Sequence, residues 1–67
     1  MSSDRMGLLI VRAWLEHGSS KPLRGHMRLT GDIANGFDRE VTLAEVSGIC
    51  AEVETWLLAI LAADQKP

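Results

Sequence analysis

The spacing of apolar residues is the feature that most constrains how this chain can fold. Three segments place apolar residues at every second position, as strands with one buried face do, and these positions are all odd. These residues are Leu9, Val11, Ala13, Leu15, Leu23, Met27, Leu29, Val41 and Leu43. In the C-terminal third, apolar residues instead recur at steps of three and four, which is typical of one face of a helix. They are Val46, Ile49, Cys50, Val53, Trp56, Leu57, Ile60 and Leu61.

This pattern predicts an α+β fold, in which a three-stranded antiparallel meander (βββ) is packed on one face by a single long C-terminal helix. The strands are expected at residues 8–16, at residues 23 to about 33 and at residues 37–43, with a Gly- and Pro-containing loop after the first. Thr42-Leu43-Ala44-Glu45 matches a capping box, so the helix is expected to begin at about Ala44 and to end near Asp64.

The alternation also predicts how the strands pair. A two-residue turn at Asn35-Gly36 would set Leu29 opposite Thr42 and mix the two faces of the sheet. A three-residue loop with Gly36 in the left-handed region keeps the faces apart. It pairs Leu29 with Val41, and it sets residues 27 and 33 opposite residues 43 and 37.

A corresponding register is expected between the first two strands. If Leu15 pairs with Leu23, Ala13 lies opposite Gly25, and the two small residues leave a depression on the inner face. We expect Trp56 or Leu57 of the helix to fill this depression, since a seat for a core side chain is far commoner than a ligand pocket.

The length of 67 residues predicts one small domain, residues 1–67, with frayed ends at residues 1–6 and 64–67. So short a chain builds a core worth only a few kcal/mol, and a staple or a partner is expected. The single cysteine, Cys50, cannot form an intramolecular disulfide, and the two histidines have no zinc-site spacing. We therefore expect no metal and no cofactor, and oligomerisation is the remaining staple.

No signal segment opens the chain, and the longest apolar run, residues 56–63, is shorter than the roughly 20 residues that span a bilayer. The expectation is a cytoplasmic protein with no membrane contact. Two histidines, residues 17 and 26, lack a neighbouring nucleophile, and Asp32 and Asp38 are typical turn residues. Cys50 within the apolar stripe is expected to act as a small hydrophobe. No catalytic residue is predicted, and the chain is not expected to be an enzyme.

On the sheet face away from the helix, the apolar area is larger than is usual for a surface exposed to solvent. The first strand contributes Leu8, Ile10, Arg12 and Trp14 to it, and contiguous apolar patches usually mark contact sites. In strand order 1-2-3 the first strand is also a nearly uncharged edge, which invites another strand. In the alternative order 2-1-3 its hydrophobicity would serve burial alone. The sequence therefore predicts a non-catalytic interaction or scaffold module. We expect it to form a homodimer through the first strand and the outer face, or to bind another protein.

A second hypothesis is binding of nucleic acid or another anion by the same face. Arg12, Arg24, His26 and Arg28 would form its basic surface, with Trp14 as a stacking platform and as a possible stacking partner of Arg24. Residues 1–28 carry five basic and two acidic side chains (5 − 2 = +3), and residues 29–67 carry two and seven (2 − 7 = −5). Against this hypothesis stands a pI of 5.5 with no basic recognition helix, so nucleic acid is the less favoured partner.

Overall fold

A computed structural model describes residues 5–64 and confirms the α+β fold with strand order β1-β2-β3. The first strand is therefore an edge, and the alternative order with a central first strand is wrong. The elements in chain order are β1 (Leu8–Leu15), β2 (Leu23–Thr30), a 3-10 turn (Ile33–Asn35), β3 (Arg39–Leu43) and α1 (Val46–Asp64). Both strand pairs are antiparallel.

The β1–β2 hairpin has the predicted register. Leu15 pairs with Leu23 and Ala13 lies opposite Gly25, so Trp14 lies opposite Arg24. The hairpin loop turns through Gly18, whose φ of 93° suits glycine far better than other residues. Because the pairing keeps odd residues on one face of both strands, the helix has a single apolar surface to cover.

The register between β2 and β3 differs from the prediction by two residues. Leu29 pairs with Arg39, and Met27 pairs with Val41. β2 stops at Thr30 instead of continuing toward residue 33, so residues 31–38 form a longer connection than the predicted three-residue loop. A shift of two residues leaves every side chain on its predicted face, because the side-chain period of a strand is two.

Local hydrogen bonds explain the early end of β2. The Thr30 hydroxyl accepts from the amide of Asp32 at 3.0 Å, and the Asp32 carboxylate accepts from the amide of Ala34 at 3.2 Å. These side chains offer the backbone an alternative to the strand ladder, and the 3-10 turn follows at once. Gly36 has a positive φ of 78°, but its ψ of −179° lies outside the left-handed region that the sequence predicted.

The predicted capping box at the start of the helix is wrong. Thr42 stays in β3 opposite His26, so its hydroxyl is not at a helix terminus. The carbonyl of Glu45 instead accepts the bond from the amide of Ile49 at 3.1 Å, and α1 begins at Val46. The predicted end near Asp64 agrees with the structure.

The helix lies over β2, and the well-packed core is correspondingly narrow. Among the described residues, the buried side chains larger than glycine are Met27, with no exposed surface, Leu29 and Thr30, all on β2. Trp56 fixes the helix by donating its indole N–H to the carbonyl of Thr30 at 2.9 Å. The apolar surfaces on either side of this strip of core are less well covered.

The depression opposite Ala13 is filled, but by Ile49 rather than by Trp56 or Leu57. An added Cβ on Gly25 would stand 2.5 Å from the Ile49 Cδ1 and 3.2 Å from its Cγ1. Trp56 instead packs near Gly7, beyond the start of β1.

Gly25→Ala should therefore lower the free energy of unfolding by about 1–3 kcal/mol, since Ile49 must move to admit the methyl group. Urea denaturation checks this value. Gly31→Ala is the matched control, because no heavy atom lies within 4 Å of a Cβ built there. A Gly25→Ala protein as stable as the wild type would contradict the close approach of helix and sheet.

The molecule is elongated for its length. Its Cα radius of gyration is 14.4 Å, with extents of 53 × 19 × 12 Å, whereas a compact chain of this size has a radius of about 11 Å. The α1 window 46–63 has a mean hydropathy of 1.6 and no buried residue, so by length and composition alone it meets the criterion for a membrane span. This window is longer than the apolar run of residues 56–63 that the sequence indicated. The absence of membrane contact therefore stays a prediction.

Candidate interaction surface

The four residues predicted to form an interface lie together on β1. Leu8 is half-buried and Arg12 is exposed, while Ile10 and Trp14 retain 41% and 39% of their surface. They share the sheet face opposite the helix, because they alternate with the residues that face α1. Two large apolar side chains are thus displayed in one row beside a single cation.

The free edge of β1 runs along this row. β1 is eight residues long and pairs only with β2 in the described chain, so its other side presents unpaired amide and carbonyl groups. Its one charged side chain is Arg12. The opposite edge, β3, is shorter and carries Arg39 and Glu40, the kind of charges that discourage strand addition.

The predicted anion-binding residues are mostly engaged with acidic or carbonyl oxygens. Arg24 lies 3.5 Å from the carboxylate of Glu16 and donates to the carbonyl of Leu23 at 2.9 Å. The Glu40 carboxylate lies 3.3 Å from His26 and 3.6 Å from Arg28. Among described residues, Arg12 is the member of the set without an ion pair.

Aromatic contacts on this face also differ from the expectation. Arg28, not Arg24, lies over an aromatic ring, with its guanidinium 4.5 Å from the centroid of Phe37. Trp14 donates its indole N–H to Glu16 at 3.3 Å. The Trp14 ring is therefore a partly exposed apolar surface at the edge of the sheet.

Several side chains considered for catalysis or metal binding can be placed in the structure. Asp32 is occupied in capping the 3-10 turn, and no group of three His, Cys, Asp or Glu side chains in residues 5–64 is placed to hold a metal. The depression beside Phe37 and Asp38 is open to solvent and has cations and anions on its rim. Cys50, expected within the packed stripe, is exposed.

The helix carries a second apolar surface, which sequence reasoning did not separate from the packed one. Ile49 and Trp56 contact the sheet, whereas Val46, Cys50, Leu57 and Leu61 are exposed. We call these four residues the helix flank. Successive residues of a helix are about 100° apart, so the four project along one line, beside the residues that face β2.

Two contacts show on which side of α1 the helix flank lies. Gly48 approaches the side chain of Leu43, and Glu52 binds Arg39 through two hydrogen bonds of 2.8 and 3.2 Å. Leu43 and Arg39 both belong to β3, so the other side of the helix, with the helix flank, faces β1. The inner side of β1 is uncovered there, and Leu15 keeps 60% of its surface.

The sequence does contain a signal for the helix flank. Val46, Cys50, Val53 and Leu57 follow steps of four, three and four, the spacing of a helix seam that packs on another helix. This seam overlaps the stripe that faces the sheet, and together they form one broad apolar band. Such a band is wider than a single sheet contact requires.

An ion pair holds the start of the helix to the β1–β2 loop. Lys21 Nζ lies 2.6 Å from a carboxylate oxygen of Glu45 and lowers the pKa of that carboxyl through the hydrogen bond and its charge. Because the pKa of the folded state is lowered, the pair stabilises the protein above the ordinary carboxyl pKa. That contribution disappears as the pH falls through the lowered pKa.

No protein-family model, curated protein or solved structure matches this chain. The surfaces of the molecule are therefore the basis for assigning a function. On two of these surfaces, apolar side chains remain exposed and are not packed within the described chain. One is the outer face at the free edge of β1, and the other is the helix flank with the uncovered inner side of the same strand.

Proposed function

We propose that this chain is a small, non-catalytic, cytoplasmic interaction module that forms a homodimer through β1 and the outer face of its sheet. The observation that carries the proposal is an eight-residue open edge with Ile10 and Trp14 partly exposed beside it. Pairing of two β1 strands about a twofold axis satisfies both edges at once and produces a six-stranded sheet.

The faces of the sheet restrict how the two strands can align. Opposed residues in an antiparallel pair point to the same face, so residues that pair across the axis must share parity. The axis then passes beside Val11 or beside Arg12 if the strands overlap fully. With Arg12 on the axis, two guanidinium groups would lie directly opposite each other, which is destabilising.

The register with Val11 on the axis avoids this repulsion. It sets Leu8 beside Trp14 of the second copy and Ile10 beside Arg12 of the second copy, once on each side of the axis. Apolar side chains then pair with an aromatic ring and with the aliphatic part of an arginine. The proposed interface thereby uses all four exposed or half-buried outer residues of β1.

The first test is the solution mass by light scattering over a concentration series, at low and high salt. The expected result is a dimer that resists salt, since apolar contact and backbone pairing dominate the interface. Trp14→Glu should give a folded monomer, because it replaces the apolar cross-strand contact with Leu8 of the second copy by a carboxylate. A wild-type protein that is monomeric throughout the series would contradict the proposal.

Thr42→Glu is the matched control. Thr42 is exposed on the same face but lies on β3, away from the open edge, so this variant should remain dimeric. Circular dichroism should show native folds for both variants. If Trp14→Glu instead unfolds the protein, Trp14 belongs to the core and the face assignment is wrong.

Anion binding by the outer face has less support. Three of its four candidate residues, Arg24, His26 and Arg28, lie beside Glu16 or Glu40, so an incoming phosphate would compete with a carboxylate already in place. The four candidates also share the face with the apolar row of β1. If an Arg12→Ala protein remains dimeric but binds single-stranded nucleic acid more weakly than the wild type, the result supports anion binding by the outer face despite these ion pairs.

A further inference from the structure

The strand-paired dimer leaves one apolar surface to account for, the helix flank. We infer that the second copy covers it: two helix flanks meet on the helix side of the joined sheet and enclose a second core above the paired β1 strands. This inference rests on the proposed homodimer and deepens it. It assigns an interface to Val46, Cys50, Leu57 and Leu61, in addition to the outer face.

The spacing of the elements permits such a core. In the joined sheet the two β2 strands are three strand spacings apart, about 14 Å. Each helix lies over its own β2, so the two helix axes are separated by a similar distance, whereas packed helices are 8–10 Å apart. The additional space of about 5 Å lies above the paired β1 strands, where Val11 of each copy projects from the sheet between the two rows of flank side chains.

The contacts within one copy set which parts of the helices face each other. Ile49 packs on Gly25, opposite Ala13, and Trp56 packs near Gly7 at the other end of β1. With Val11 on the axis, Ala13 pairs with residue 9 of the second copy. The two residues therefore lie at the same height along the paired strands. The helices are then antiparallel, and Cys50 of one copy faces the region of Leu57 of the other.

The exposed area is of the size that a dimer covers. The chain has 5128 Å² of accessible surface, compared with about 4200 Å² for a compact monomer of its mass. This larger surface includes the exposed side chains of the helix flank, and a standard interface covers about 800 Å² on each partner.

A second copy fits this surface better than a lipid bilayer does. Helices that lie in membrane interfaces are typically rich in lysine and arginine on their polar face, and α1 contains neither. Glu52 is held to the sheet by Arg39, and the N–H of Trp56 is bound to Thr30. These bonds would be broken if α1 left the sheet to cross a membrane.

Two adjacent leucines provide the decisive comparison. Leu57 and Leu58 are 52% and 56% exposed, but Leu57 belongs to the helix flank and Leu58 points away from the sheet. Leu57→Lys should raise the Kd of the dimer by at least tenfold in light scattering or sedimentation, because a charge enters the second core. Leu58→Lys should leave the Kd unchanged.

A gain of affinity gives an independent readout. Glu54 lies at the solvent rim of the helix flank, near the axis in the antiparallel arrangement, so the two copies bring like charges together. Glu54→Gln should lower the Kd by about twofold or more, and added salt should diminish the difference. Asp38→Asn removes the same charge far from the axis and should have no effect.

The outcomes separate the two proposals. If Trp14→Glu is monomeric while Leu57→Lys dimerises like the wild type, the strand-paired dimer stands and the second core is refuted. If the wild type is monomeric, both proposals fail. If the wild type is monomeric and also binds vesicles of neutral phosphatidylcholine, with Leu57→Lys abolishing that binding, the helix flank is a lipid contact and the second core is again refuted.

Discussion

Trp56→Ala is expected to unfold most of the protein at 25 °C in dilute solution. The substitution removes the largest side chain between helix and sheet, together with its hydrogen bond to the carbonyl of Thr30. Loss of a packed tryptophan costs about 3–5 kcal/mol, and a chain this short has little more than that in total. Urea denaturation followed by far-ultraviolet circular dichroism measures the change.

Trp56→Phe separates packing from hydrogen bonding. The phenyl ring keeps most of the apolar contact but leaves the carbonyl of Thr30 without its indole donor, so the loss should be only about 1–2 kcal/mol. All proteins are compared at one concentration, because association stabilises the folded state by mass action. A Trp56→Ala protein with the wild-type urea midpoint would show that α1 is held elsewhere.

Proline placed in β1 is expected to abolish dimerisation at one of two adjacent positions. Amides along a strand point alternately to its two neighbours, so one of Ile10 and Val11 directs its N–H to β2 and the other directs it to the open edge. Proline at the open-edge position removes a donor and blocks the second strand, but it leaves the bonds to β2 intact. That variant should be a folded monomer.

Proline at the other position supplies the control. It removes a bond of the β1–β2 ladder and places the proline ring between the two strands, so it should strongly destabilise the fold. Circular dichroism identifies which variant is folded, and light scattering then gives its mass. A folded proline variant that dimerises as strongly as the wild type would show that the edge of β1 is not the contact.

The parity of apolar residues was sufficient to predict the sheet. The β1–β2 register that sets Ala13 opposite Gly25 was predicted and is the one observed, although parity alone also permits shifts of two residues. The β2–β3 register did not, since Leu29 opposite Val41 and Leu29 opposite Arg39 preserve the faces equally well. The choice depends on the hydrogen bonds of Thr30 and Asp32, which compete with strand extension and leave no trace in the apolar pattern.

The candidate surface was predictable in part. The positions of Ile10, Arg12 and Trp14 on one face of β1 followed from alternation alone. The helix flank did not, because Cys50 and Leu57 belong to the same broad stripe as Ile49 and Trp56. Only the tilt and sideways placement of α1, fixed by contacts such as Arg39 with Glu52, decide which residues of the stripe remain exposed.

The two tryptophans lie on opposite faces of one thin sheet, Trp14 at the open edge and Trp56 under the helix. Their fluorescence therefore reports two different events. A Trp14→Phe protein would emit only from the ring that docks the helix, and a Trp56→Phe protein only from the ring at the open edge, where we propose that the second copy binds. Stopped-flow records of this pair would time chain collapse and subunit encounter separately, without attaching a dye to so small a molecule.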